Sequence, residues 1–300
     1  MVIDYKCPAD PDFVSRTIER ISQVYLFCEK YVIGKSLLGR DIELLKIGNG
    51  KKKVMFVGGV HGSEHLTSSL LLRFAADYAS AADDGGKVYS LSMRYLYENR
   101  TVYILPQLNP DGADIAIHGP SRDCPLYERI MHMCPDKDFT HWQANARGVD
   151  LNHNFSADFE KYKAIERENG IFEGATKFSG ECPESEKETK AICDFLRCTD
   201  VGMLLAFHTQ GEEIYYEANG TCPHMGRAIG SAMARMCGYR LALPQGGARY
   251  GGLKDWFIKE FSRPGFTVEC GKGENPLPYE DLFRIYAILR EMLFTSVVLI

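Results

Sequence analysis

Three apolar runs in this chain stop on residues that bind metals or move protons, and that constrains the fold more than any other feature. Val54-Met55-Phe56-Val57-Gly58-Gly59-Val60 leads into His61-Gly62-Ser63-Glu64, Leu204-Leu205-Ala206-Phe207 into His208, and Gly265-Phe266-Thr267-Val268 into Glu269. Near-continuous apolar runs are the mark of strands buried on both faces, as in a parallel sheet covered by helices. In open α/β sheets the ligand crevice lies beyond the carboxyl ends of the strands, so three such ends can converge on one site. A charge at the end of a buried strand is costly unless it is paired or coordinated, which argues against a chance coincidence of three.

The rest of the chain fits that architecture. Residues 11–30 carry apolar side chains at helical spacing and predict a surface helix. Residues 31–48 and 51–60 are two β-type stretches divided by the turn-forming Asn49-Gly50. A helix follows over 63–82, ended by Asp83-Asp84-Gly85-Gly86, and residues 99–109 give another apolar strand. Residues 112–150 have no clear period and predict a long functional loop. Beyond it, 183–198 opens on Pro183 with Glu184, Glu186 and Glu188 in its first turns, the pattern of a solvated helix start. A helix over 225–239 carries Met225, Met233 and Met236 as core filler, and residues 279–300 predict a core-packed helix. Strands alternating with helices predict an α/β sandwich, helices on both faces of a mainly parallel or mixed sheet. With 300 residues, 45% of them hydrophobic, and no internal repeat or low-complexity linker, one domain over 1–300 is the better reading, with 1–31 a helical extension.

Composition excludes several roles. A net charge of −5 gives no excess of Lys and Arg for nucleic acid or an acidic membrane surface. No apolar run approaches the roughly 20 residues of a membrane span. The start, Met1 to Phe13, is polar and acidic, unlike a secretory signal. Ten scattered cysteines without a Cys-x-x-Cys pair predict reduced thiols in a cytoplasmic protein.

The chemistry follows from residue type and placement. Zinc accepts imidazole nitrogen and carboxylate oxygen, and a catalytic site keeps an open fourth position. His61-x-x-Glu64 lets two ligands leave one tight turn, and His208 sits where a third is needed; a satisfied core histidine is the alternative for His208. Metal-assisted hydrolysis also requires a carboxylate to take and return a proton, and Glu269, behind its apolar run, is placed for it. The competing reading of Glu269 is a structural ion pair. His65 is read as a helix-surface residue. His118, His132 and His141 are read as solvated loop residues, and Asp150 as a structural anchor that could also orient a zinc-bound imidazole.

His61-Gly62-Ser63-Glu64, Asn109-Pro110-Asp111-Gly112, Gly148-Val149-Asp150-Leu151-Asn152, His208 and Phe266-Thr267-Val268-Glu269 resemble, in order and spacing, the zinc carboxypeptidase (M14) superfamily over about residues 32–290. Gly252-Leu253-Lys254-Asp255-Trp256-Phe257-Ile258, Arg263-Pro264-Gly265 and Asn275-Pro276-Leu277-Pro278 look closest to bacterial γ-D-glutamyl-L-diamino acid peptidases, which cut peptidoglycan stem peptides. The resemblance implies an eight-stranded mixed, mainly parallel sheet flanked by helices on both faces. It also implies one zinc per chain, a peptide substrate, and Glu269 as base toward the attacking water and as donor to the leaving amine. Asn152-His153 stands where the family commonly has Asn-Arg, and an imidazole cannot make the bidentate clasp of a guanidinium on a terminal carboxylate. Gln143 stands in place of the family's oxyanion arginine, with Arg147 near enough in sequence to supply the charge. Tyr250 lies a few positions from the family's mobile tyrosine. The expected substrate is therefore a specialised amide, γ-D-glutamyl-diamino acid bonds met inside the cell. A zinc deacylase of N-acyl amino acids and a non-catalytic wall-peptide binder are the alternatives.

Overall fold

The computed structural model describes Ile3 and residues 5–300. Met1, Val2 and Asp4, part of the amino-terminal stretch read for a signal, lie outside the described residues. Helix α1 (Pro11–Val24) starts where Asp10 accepts the Phe13 N–H at 2.7 Å and Pro11 presets the first turn. Its apolar stripe, Val14, Ile18 and Ile21, is buried. The helix stops short of the expected residue 30, because strand β1 (Cys28–Lys35) begins there and pairs antiparallel with β2 (Asp41–Ile47). The β-type stretch over 31–48 is therefore two strands, paired as an edge hairpin. Strand β3 (Lys52–Val57) feeds α2 (Leu66–Asp84), which ends where Gly85 adopts a left-handed φ of 64° and returns its N–H to Ala81 and Ala82. A two-residue ribbon, β4 (Lys87–Val88) and β5 (Leu91–Ser92), precedes α3 (Met93–Asn99) and β6 (Arg100–Leu105).

The segment expected to be a long loop holds two short helices, α4 (Pro110–His118) and α5 (Tyr127–Met133). Asn109-Pro110-Asp111-Gly112 is a helix start: the Asn109 side chain accepts the Gly112 N–H at 2.9 Å and Pro110 occupies the first position. Both helices are too short for a clear period, and Ile115, Ile130 and Trp142 bury a small satellite core there. The second half comprises α6 (Phe159–Asn169), α7 (Lys187–Cys198), β7 (Met203–His208), β8 (Glu213–Tyr215), α8 (Gly226–Cys237), β9 (Arg240–Ala242), α9 (Leu253–Phe261), β10 (Gly265–Glu269) and α10 (Asp281–Ser296). Among the methionines of the α8 region Met233 is in the core and Met236 packs against it, whereas Met225 is exposed.

Eight strands form one sheet in the order β1-β2-β6-β3-β7-β10-β8-β9. The central four, β6-β3-β7-β10, are parallel, and antiparallel pairs sit toward both edges. Alternation along β3 explains the unbroken apolar run. Val54 and Phe56 enter the core under α1, α2 and α10, while Met55 and Val57 enter the opposite core with Ile192 of α7 and Trp256 of α9. Both faces are covered, so the four buried positions from Val54 to Val57 are all apolar. Burying each large side chain of this kind stabilises the fold by roughly 1.5–3 kcal/mol. The parallel strands all run the same way, and β3, β7 and β10 therefore deliver their carboxyl ends to one edge of the sheet.

Candidate metal centre and cleft

Glu269 is the register partner of His208, each the last residue of its strand. Beyond β3 the chain turns through Gly58 and Gly59 to His61, then makes a single 3-10 turn over Gly62–Glu64 that puts His61 and Glu64 on the same side. Gly62 is required by space: a Cβ there would stand 2.3 Å from the Gly112 carbonyl and 2.7 Å from that of Trp142.

The three donors close into a triangle. His61 Nδ1 lies 3.0 Å from Glu64 Oε1, His208 Nδ1 lies 3.0 Å from Glu64 Oε2, and the two Nδ1 atoms are 3.3 Å apart. Ligand atoms about 2.0–2.1 Å from one tetrahedral zinc would be ~3.3 Å from each other, so the triangle fits that ion. His208 engages the group through Nδ1 alone, and its buried Nε2 has no hydrogen-bond partner among the described residues. Two imidazoles and a carboxylate, His61, Glu64 and His208, are also the borderline donor set zinc prefers. They would hold the ion.

Partners behind the triangle fix its geometry. Asp150 is buried; its Oδ1 accepts from His61 Nε2 at 3.2 Å and from the Asn152 N–H at 3.1 Å, and its Oδ2 accepts from the Lys177 N–H at 3.0 Å. Asp150 thus both anchors the loop and fixes the orientation of the His61 imidazole. Asn275 joins Thr209 to Glu64: its Nδ2 donates to the Thr209 carbonyl at 2.7 Å and sits 3.4 Å from Glu64 Oε1, while Thr209 Oγ1 donates to its Oδ1 at 2.7 Å.

Charges follow from burial and neighbours. Burial opposes ionising Glu64, but His61 and then His208 outweigh it and draw its carboxyl down to about 2. Burial likewise opposes a charge on His61, yet Glu64 and Asp150 on its two sides raise its proton affinity well above the usual imidazole value. For Glu269, burial first and the Glu64 charge second raise the carboxyl well above the ordinary range, with His61 pulling the other way. The result is a carboxylate that ionises readily at Glu64 and a carboxyl of raised proton affinity at Glu269, two acids whose environments push them apart.

A cleft of about 650 Å³ opens over these residues, lined also by Gln143, Asn152, His153 and Tyr162. Gln143 reaches it with its Oε1 tied to Thr176 Oγ1. Asn152 uses its Oδ1 to accept the Leu253 N–H at 3.1 Å, at the first residue of α9. His153 stacks on Tyr162 with centroids 3.8 Å apart and its Nδ1 donates to the Tyr250 carbonyl at 2.8 Å. Burial lowers the His153 proton affinity, so the ring is neutral and locked.

Two expected substrate-binding residues fall elsewhere. Arg147 is not a cleft residue; its guanidinium is committed to buried Glu186. Tyr250 meets the site only through its backbone carbonyl, and the cleft wall there is made by Gly247 and Ala248. Glu186 and Glu188 are buried, not solvated, because α7 begins at Lys187 and both carboxylates turn inward. Glu188 accepts the Leu37 N–H at 2.8 Å and Glu186 accepts from Asn145 at 2.8 Å. His65 is buried too, stacked on Tyr279 with its imidazole lowered to about 4 by burial, not lying on a helix surface. Lys177, Tyr162 and Asn275 are site residues that spacing did not single out. Tyr162 lies on α6 and Lys177 in the irregular segment after it, and only long-range contacts bring them to the cleft.

A largely buried His/Glu/His triangle beside a carboxyl of raised proton affinity, at the carboxyl edge of a mixed sheet, defines the kind of centre zinc hydrolases use. The sequence profile of the zinc carboxypeptidase family matches residues 18–286. Gamma-D-glutamyl-L-diamino acid endopeptidase 1 of Lysinibacillus sphaericus is 34% identical over 278 residues, covering 92% of this chain and 69% of that protein. YqgT of Bacillus subtilis is 32% identical over 286 residues, covering 92% of this chain and 74% of its own. Carboxypeptidase A of Helicoverpa armigera superposes with a TM-score of 0.73 at 20% identity, over 99% of this chain and 74% of that one, a likeness of fold. The chain belongs to the zinc carboxypeptidase family, and it is a zinc-dependent hydrolase.

Proposed function

We propose that this protein is a peptidase that hydrolyses γ-D-glutamyl-diamino acid bonds of peptidoglycan stem peptides, with His61, Glu64 and His208 as zinc ligands and Glu269 as the proton carrier. The observation that carries the reading is the neutral, locked His153: a ring stacked on Tyr162 and tied to the Tyr250 carbonyl leaves no guanidinium-like clasp at the position from which carboxypeptidases grip a free C-terminus. The relative from Lysinibacillus sphaericus, whose name states that specificity, supports the same choice of bond.

Zinc, when bound, supplies Lewis acidity to water and to the scissile carbonyl. Glu269, beside His208, takes the proton from the attacking water and returns it to the leaving nitrogen. A carboxyl whose proton affinity is raised by burial and a neighbouring carboxylate is suited to both halves of that cycle. Gln143 offers a neutral amide donor for the oxyanion, and Asn152 lines the wall beside it. A cytoplasmic pool of released wall peptides is the proposed source of substrate. Ten scattered cysteines without a Cys-x-x-Cys pair suit a reducing compartment, and among the described residues no helix is long and apolar enough to cross a membrane.

Incubation with defined tri- and tetrapeptide stems, followed by mass spectrometry, tests the assignment. The expected product is cleavage between D-glutamate and the diamino acid. Release of ordinary L-amino acids from C-termini alone, or a preference for N-acyl amino acids, would overturn it.

A further inference from the structure

Lys177 lines the same cleft as His61, His208 and Glu269, and among the described residues it is the only lysine or arginine that does so. Its ammonium has no acidic partner among those residues, whereas nearby cations are spent: Lys163 on Glu166 and Arg147 on Glu186. The backbone beneath it is fixed from both sides. Its N–H donates to Asp150 Oδ2 at 3.0 Å and its carbonyl accepts the Tyr162 hydroxyl at 2.7 Å. It is held at a left-handed φ of 71°, a conformation an L side chain adopts only when its surroundings impose it. An exposed, unpaired ammonium is thus carried at a fixed point of the cleft wall, on the residue that also completes the hydrogen bonding of Asp150 behind His61.

The other charged side chains lining the cleft, the zinc triangle apart, offer an anionic substrate no second cation. Glu64, Asp150 and Glu269 are acids, and His153 is neutral and committed to Tyr250. Outside the metal centre, Lys177 is the one cationic side chain among the described residues lining this cleft that a substrate carboxylate can meet. We propose that Lys177 is a specificity-determining residue that reads a free carboxylate of the substrate. A γ-linked glutamyl residue supplies one directly: its scissile amide is built on the side-chain carboxyl, so the α-carboxylate stays free on the acyl side of the bond. An α-linked peptide has no carboxylate there. The leaving amino acid carries the other candidate carboxylate. Only the choice between these two rests on the γ-glutamyl reading above.

The test compares the zinc-loaded wild type with Lys177→Gln and Lys177→Arg on three substrates. These are a γ-D-glutamyl-diaminopimelate stem peptide, its α-carboxamide (isoglutaminyl) analogue, and the analogue amidated on the leaving residue. Matched circular dichroism and melting curves establish that the variants fold. Lys177→Gln is expected to lose about 10–100-fold in kcat/KM on the free-acid substrate, the scale of a lost charge-assisted hydrogen bond, mainly through KM. Wild type is expected to lose the same on the isoglutaminyl analogue, where the two enzymes converge, and Lys177→Arg to retain most of the activity. Convergence on the leaving-residue amide instead keeps the carboxylate reading and moves its source to the leaving group. Lys177→Gln within about twofold of wild type on the free acid, or an equal loss on all three substrates, overturns the proposal. Should wild type cleave only α-linked peptides, the proposed function falls, but the same enzymes still decide this inference on a peptide with free or amidated C-terminus: Lys177→Gln losing the discrimination supports it, and keeping it overturns it.

Discussion

Asp150→Asn separates a residue that merely anchors a loop from one that positions a metal ligand. The carboxylate is buried and takes three donors: His61 Nε2 and the Asn152 N–H on Oδ1, the Lys177 N–H on Oδ2. Asparagine keeps the shape but turns one of those oxygens into a donor, so at least one N–H must face another N–H. A buried donor left unmade costs about 1–3 kcal/mol, which should appear as lower stability of the zinc-free protein. The second effect is specific to the metal. Without the negative charge on Nε2, His61 is a weaker and less well-aimed ligand, and loss of such a partner typically lowers affinity ~10–100-fold. That is about 1.4–2.7 kcal/mol of binding free energy. A competition titration against a chromophoric chelator gives the zinc dissociation constant, and melting of the apo protein gives the structural part. Zinc affinity within about threefold of wild type, with only the apo protein destabilised, would refute the positioning role.

Two other outcomes follow from groups away from the cleft. Burial raises Glu188 to about 7 from an ordinary 4.5, so the folded state binds more protons than the unfolded one between those values and stability falls as pH rises through that window. Integrated over the shift this is up to about 3 kcal/mol, and Glu188→Gln should flatten the denaturation-against-pH profile there; an unchanged slope would contradict the assignment. Phe74 on α2 is fully buried against Phe56 at 5.0 Å, Phe294 at 5.4 Å and Tyr78 at 5.6 Å. Phe74→Ala should cost ~3–5 kcal/mol in urea unfolding while the folded fraction keeps its turnover, and a cost under about 1 kcal/mol would count against that packing.

The parallel centre of the sheet was legible because its strands carry long apolar runs, and those of β3, β7 and β10 lead into His61, His208 and Glu269. Both facts are local, and the parallel register then makes convergence of His208 and Glu269 automatic. The zinc triangle came with them, since His61 and Glu64 share one turn. What could not be read depends on contacts far apart in sequence. Glu186 and Glu188 have the pattern of a solvated helix start, and only Asn145, Arg147 and Leu37, brought from elsewhere, turn them inward. The same pairing withdraws Arg147 from the cleft to which its sequence position seemed to assign it. His65 next to Glu64 looked like a surface position because its partner, Tyr279, lies 214 residues away. Lys177 sits in an aperiodic stretch, and its place on the cleft wall is set by Asp150 and Tyr162, which no spacing rule connects to it. Short helices α4 and α5 escaped because one or two turns do not establish a period.

His61 and Glu64 from the turn beyond β3 and His208 from the end of β7 are proposed to hold one zinc, while Glu269 alone carries the proton. Zinc content and turnover of Glu269→Gln, measured together on a γ-D-glutamyl stem peptide, test it most directly. The expected result is about one zinc per chain, as in wild type, with peptide binding preserved and kcat reduced ~10²–10⁴-fold. Turnover within about tenfold of wild type at full zinc occupancy would contradict the claim and place the base elsewhere.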